Sequence, residues 1–159
     1  KSSPQLQVLN INEFNISYPM IKKNTADNDY LTPKISFRIN PSNMKDYSSN
    51  NSLITTDNIF SINRLGLTES YESGKTATMG IDYRRENNDN IEKFFEVKLA
   101  SVFRDTPEYK MPQSSSLQGK YSNLIGSIEN KFSENLSFDY NFSIDNDFEK
   151  CSKSQTFPK

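Results

Sequence analysis

Hydrophobic and polar residues alternate along much of this chain with a period of two. In "NLSFDYNFSID", residues 135–145, Leu136, Phe138, Tyr140, Phe142 and Ile144 fall on one side and Ser137, Asp139, Asn141, Ser143 and Asp145 on the other. Successive side chains of a β-strand point to opposite faces, so the stretch predicts a strand with one greasy and one wet face. The same pattern recurs upstream. "LTPKISFRINP" sets Ile35, Phe37 and Ile39 against Ser36 and Arg38, with Pro33 and Pro41 expected to bracket the strand, since proline is poorly placed inside a sheet. "KTATMGIDYR" opposes Ala77, Met79, Ile81 and Tyr83 to Thr76, Thr78, Gly80 and Asp82. "KFFEVKLASVFRD" puts Phe95, Val97, Leu99 and Phe103 opposite Glu96, Lys98 and Ala100.

The connections also alternate. A Ser- and Asn-rich run over residues 42–58 reads as a long loop, and "RENNDN" as a short turn. "TPEYKMPQSSSLQGK" is a second long link, and "SEN" turns directly into the 135–145 strand. "SNLIGSIENKF" alternates more weakly, and the N-terminal "LQVLNINEFNIS" is strand-like with a slip of phase at Val8-Leu9 that suggests a bulge. No stretch holds a 3.6-residue period. The expected fold is therefore all-β, an antiparallel meander occupying residues 1–150, with 151–159 as an unstructured tail. Long and short connections in turn are what outer-membrane barrels carry, long loops outside and short turns on the periplasmic side.

Composition narrows the function classes. The 159 residues include no histidine and one cysteine, Cys151, which removes the usual zinc sites, the Ser-His and Cys-His dyads and any disulfide within the chain. The 19 basic and 20 acidic residues give a net charge of -1 and form no basic stripe, so no nucleic-acid partner is expected. "ESGKTATMG" imitates the end of a phosphate-binding loop, but Glu69 stands where the first glycine is needed and no helix pattern follows. Asp139 and Asp145 would lie roughly 20 Å apart along one strand, too far to share a scissile bond. No cofactor, no metal and no catalytic residue is implied. There is no apolar run of the ~18 residues a membrane helix needs, though a barrel strand crosses with about 9–11.

The greasy faces can pack against a second sheet, as in a soluble β-sandwich binding module, or face lipid. Strand length, recurrent Phe and Tyr, and the charged opposite faces lean toward lipid. On that reading Asp82, Glu96, Lys98, Asp139 and Asp145 all turn inward, and Glu96, Lys98, Asp139, Asn141 and Ser143 are expected to line a lumen, with the 42–58 loop at the extracellular mouth or folded into it.

Residues 30–83 carry more specific signals. Pro33-Lys34 opens a strand with Pro41 eight positions on; Ile59-Phe60, Asn63-Arg64, Gly66, Glu72-Ser73-Gly74 and Gly80-Ile81-Asp82-Tyr83 follow at characteristic spacing. This block resembles the barrel domain of the LPS-assembly outer-membrane protein family, LptD, also called organic solvent tolerance protein. Pro33, Lys34, Pro41, Phe60, Asn63, Arg64, Gly66, Gly74, Gly80 and Tyr83 match that family's motif. Where the family usually has Asp-Arg, this chain has Glu69-Ser70, keeping the acid and losing the base. Residues 84–150 agree in style only, and 151–159 do not match.

The resemblance implies a slice of a large outer-membrane barrel that inserts lipopolysaccharide into the outer leaflet. It further implies a partner lipoprotein plug, a periplasmic bridge that delivers the lipopolysaccharide, surrounding outer-membrane lipid, and no enzymatic activity. Another outer-membrane porin or channel shares the periodicity but not the motif block.

Overall fold

The computed structural model describes residues 10–145 and the backbone of 151–153. Within them the chain forms one open antiparallel sheet, a meander in which every strand from β2 on pairs with the next and β1 pairs with β3 beside β2. The strands are β1 (Asn12–Ser17), β2 (Met20–Lys23), β3 (Asp27–Asn40), β4 (Gly74–Asn87), β5 (Phe94–Arg104), β6 (Leu124–Ser133), β7 (Leu136–Ile144) and β8 (Cys151–Lys153). The all-β meander expected from the alternation is what forms, and its ends do not meet.

β1 and β2 together lie along β3 and act as one interrupted strand. This corrects the expectation for Pro33, which sits inside β3 rather than before it. The reason is local. Tyr18 N donates to the Pro33 carbonyl (3.1 Å), at the Tyr18-Pro19 break between β1 and β2. A strand residue's N–H and C=O face the same neighbour, so the donor that Pro33 lacks points at a gap where the ladder is already broken.

β3 and β4 pair without a slip from Asp27↔Asn87 to Asn40↔Gly74. At one end of the sheet the connections are short, at 24–26, 88–93 and 134–135; at the other they are long, at 41–73 and 105–123. The segment 151–153, expected to be unstructured tail, instead pairs with β7 as β8. The Val8-Leu9 slip lies outside the described residues.

The register sorts the side chains into two faces. One carries Phe14, Phe37, Met79, Ile81, Phe95, Phe103 and Phe138, all exposed. The other carries Ser36, Arg38, Thr76, Thr78, Asp82, Glu96, Lys98 and Arg104. The enclosed core lies behind this second, polar face. Ile59, Met111, Leu117 and Val102 are completely buried there, with Ala100, Ile125, Met44, Ile54, Leu65 and Leu67 around them. Most of these come from the two long loops, which fold back over the loop end of the sheet. Phe95 and Phe138 remain 36% and 49% exposed on the opposite side, outside any dry centre.

Candidate functional site on the polar face

The loop-end half of the polar face is held shut by a buried ionic cluster. Cross-strand pairing puts Arg38, Thr76 and Arg104 in one row on β3, β4 and β5. Glu72, at the C-terminal root of the 41–73 loop, drops its carboxylate onto them. Arg64 grips it with two bonds, Nε to Oε2 at 2.7 Å and Nη2 to Oε1 at 2.6 Å. Arg104 Nη1 donates to Oε1, and Arg38 Nη1 to Oε2 at 3.1 Å. Arg38 also reaches Glu13 Oε2 on β1 (2.7 Å), and Arg64 Nη1 reaches Thr78 Oγ1 (2.9 Å). Burial alone would raise the Glu72 pKa, but the guanidiniums of Arg64, Arg104 and Arg38 outweigh it and hold the carboxyl below its ordinary range. Two buried polar atoms of the row, Thr76 Oγ1 and Arg104 Nε, have no partner.

The residues of the 30–83 block converge on this same structure. The outer edge of the Phe60 ring presses on the backbone at Gly80, where a Cβ would come within 2.7 Å of ring atom Cζ and 3.0 Å of the Leu99 carbonyl oxygen, so a side chain there would clash. Lys34 sits 5.8 Å from the Phe60 ring centroid and pairs with Asp82. Asn63 closes a turn by accepting from Leu67 N (3.0 Å) and donating to Leu67 O (3.1 Å), with Gly66 at φ +62° inside it. Gly74, at φ +89°, turns the loop into β4, and Pro41 follows directly on β3. Tyr83 stands apart on the other face, its hydroxyl donating to Asp29 (2.8 Å). Glu69 finds its cation across the loop: Lys45 Nζ lies 2.8 Å from Glu69 Oε2, and that hydrogen bond lowers the Glu69 pKa.

The turn-end half of the polar face stays open. Glu96 and Lys98 on β5 and Asp139 and Asn141 on β7 share it, in the rows Glu96↔Glu129↔Asp139 and Lys98↔Ser127↔Asn141. Ser143 lies one row nearer the loops, beside Ile125, and its Oγ accepts from Asn123 Nδ2 (2.9 Å). Lys98 pairs with Glu96 (2.9 Å), and Arg84 with Glu86 (2.7 Å) while stacking on Phe94. The loop touches this region at its tip, through Thr56 Oγ1 to Ser127 Oγ (3.0 Å).

Sequence reasoning missed Glu129, Arg84 and the whole Arg38–Arg64–Arg104 cluster. The parity of β4, β5 and β6 marks the face of Arg84, Arg104 and Glu129, but nothing in the spacing joins Arg64 and Glu72 to them. Among the described residues no group of acids or cysteines is arranged to hold a metal.

An open antiparallel wall with one exposed aromatic-aliphatic face and one charged face, long loops at one end and short turns at the other, is consistent with a slice of a β-barrel wall and equally with an open β-sheet domain. The sequence profile of LptD, LPS transport system D, matches residues 5–156, and the chain belongs to that family. The match runs past residue 150, so the segment expected to fall outside the family is largely inside it. No curated protein and no solved structure gives a match. The family is one of lipopolysaccharide transport and assembly, associated with the outer membrane.

Proposed function

We propose that this chain is part of the wall of a transmembrane barrel that inserts lipopolysaccharide into the outer leaflet. The Phe-rich face meets lipid, the polar face meets the lumen, and the long loops lie outside. Glu96, Lys98, Asp139, Asn141 and Ser143 border the path of the sugar-rich head, and the chain's partners are the lipoprotein plug and the periplasmic bridge.

The observation that carries this reading is the location of the dry core behind the charged face rather than behind the phenylalanines. A soluble sandwich would bury the opposite side. From Ile39 to Leu31 along β3 the apolar side chains of this face span roughly 26 Å at ~3.3 Å per residue, and the charged Asp29 marks their limit at the turn end. A strand tilt of about 40° reduces that to roughly 20 Å, most of the ~25 Å height of a barrel's lipid belt.

Photo-crosslinking in cells tests the role. A benzophenone amino acid at Lys98 or Asn141 of the full-length gene product should capture lipopolysaccharide in transit. Capture of none from any polar-face position, in a protein that still supports transport, would refute it.

A further inference from the structure

On the lipid-facing side the cross-strand row Phe37↔Ala77↔Phe103 places a methyl group between two phenyl rings. The result is an open slot of about 420 Å³, a size within the ~300–1,000 Å³ range of small-molecule sites. Its floor is Ala77 and its walls are Phe37 and Phe103, the latter braced edge-on by Tyr121 at 5.7 Å between ring centroids. Ile39 continues the apolar lining toward the loop end, where Lys75 stands exposed at the rim. Among the described residues Lys75 makes no ion pair, although Asp105, whose N–H donates to the Lys75 carbonyl (3.1 Å), also lines the slot.

We propose that this slot holds one acyl chain of a phosphorylated, multiply acylated glycolipid, the lipopolysaccharide of the outer leaflet, with Lys75 meeting its phosphate. The inference rests on the membrane orientation proposed above and adds an exterior site to it. Apolar walls alone would take any lipid tail. The unpaired ammonium at the loop-end rim, where the outer-leaflet headgroups would lie, selects an anionic head, and a compact point charge suits a phosphate. Asp105 opposes that selection, so it sets a ceiling on the affinity.

The test uses the full-length gene product in phosphatidylcholine nanodiscs, with bisphosphorylated lipid A as probe and native mass spectrometry as readout. Lys75→Gln and Ala77→Phe, which fills the slot, should each weaken lipid A retention fivefold or more. Asp105→Asn should strengthen it, and Arg85→Gln, at the far rim, should leave it unchanged. Phosphate-free lipid A should bind the wild type no better than it binds Lys75→Gln. Equal retention by wild type, Lys75→Gln and Ala77→Phe would overturn the proposal, as would equal binding of lipid A with and without phosphate. A spin label at position 77 separates the two readings. Access for an aqueous nickel chelate means that the membrane orientation itself has failed. Access for oxygen alone, with the variants silent, means that only the site has failed.

Discussion

Replacing Glu72 with Gln removes one negative charge from beneath three guanidiniums while keeping the side chain's shape. Arg64 and Arg104 then have no carboxylate partner in the cluster, and Arg38 keeps only Glu13. The side chains of Arg64, Arg38 and Glu72 are 0%, 3% and 3% exposed, so water does not replace the lost partner. Breaking a buried pair from one side costs about 3–5 kcal/mol. Because the carboxylate joins the root of the 41–73 loop to the sheet, that cost falls on loop docking more than on the strand ladders.

At about 1.4 kcal/mol per tenfold, the population of undocked loop should rise roughly 100- to 4,000-fold. Hydrogen exchange reads this directly. The amides of Ile59 and Gly66, bonded within the loop to Thr55 O and Asn63 O, should lose protection by that factor, while β3–β4 amides hardly change. The pH dependence has a fixed sign. A carboxylate with a depressed folded pKa stabilises fully above its ordinary value of 4.5 and loses that contribution as pH falls through the folded value. Wild-type docking should therefore be flat at neutral pH and loosen only in acid below about 4.5, and Glu72→Gln should lack that acid step. Unchanged exchange in the variant, or loosening of the wild-type loop as pH rises, would refute the lock.

Three further outcomes follow from the same geometry. Gly80→Ala should destabilise by about 1–3 kcal/mol through its clash with the Phe60 ring, and Phe60→Ala in the same chain should recover part of the loss in denaturant titrations. Ile59→Ala, in the enclosed core, should cost about 2–5 kcal/mol, whereas Met79→Ala, with lipid as solvent on its face, should cost under about 1 kcal/mol in vesicle-based unfolding. Ile81→Arg, midway along the apolar face, should cost roughly 2–4 kcal/mol, and Thr32→Arg, on the polar face, much less.

The strands were legible because alternation needs only neighbours two apart: β7 keeps it throughout, β4 keeps it over residues 76–84 and β5 over residues 95–100, while Ser101 and Val102 invert it where the loops pack on the sheet. Pro33 misled because a proline is judged against its own strand, whereas its tolerance depends on a break in the neighbouring one at Tyr18-Pro19. The inward fold of the loops was illegible for a related reason. Met44, Ile54, Ile59, Leu65 and Leu67 are scattered among Ser and Asn with no period, and only their meeting with Met111 and Leu117 makes a core. Glu96, Lys98, Asp139 and Asn141 could be assigned to one face from parity. The Glu72 cluster could not, since its arginines come from positions 38, 64 and 104 and meet only after the sheet and the 41–73 loop are in place. The motif block was recognisable as a pattern before its parts had a physical meaning, and the contacts of Phe60 with Gly80 and of Arg64 with Glu72 now supply one.

Which face of the sheet meets acyl chains decides whether the chain is barrel wall. The direct measurement is cysteine scanning along β7 in a Cys151→Ser background of the full-length gene product, in intact outer membranes, with a membrane-impermeant thiol reagent. Labelling is expected at positions 139, 141 and 143 and protection at 138, 140 and 142. Protection at Asn141 together with labelling at Phe142 would contradict it.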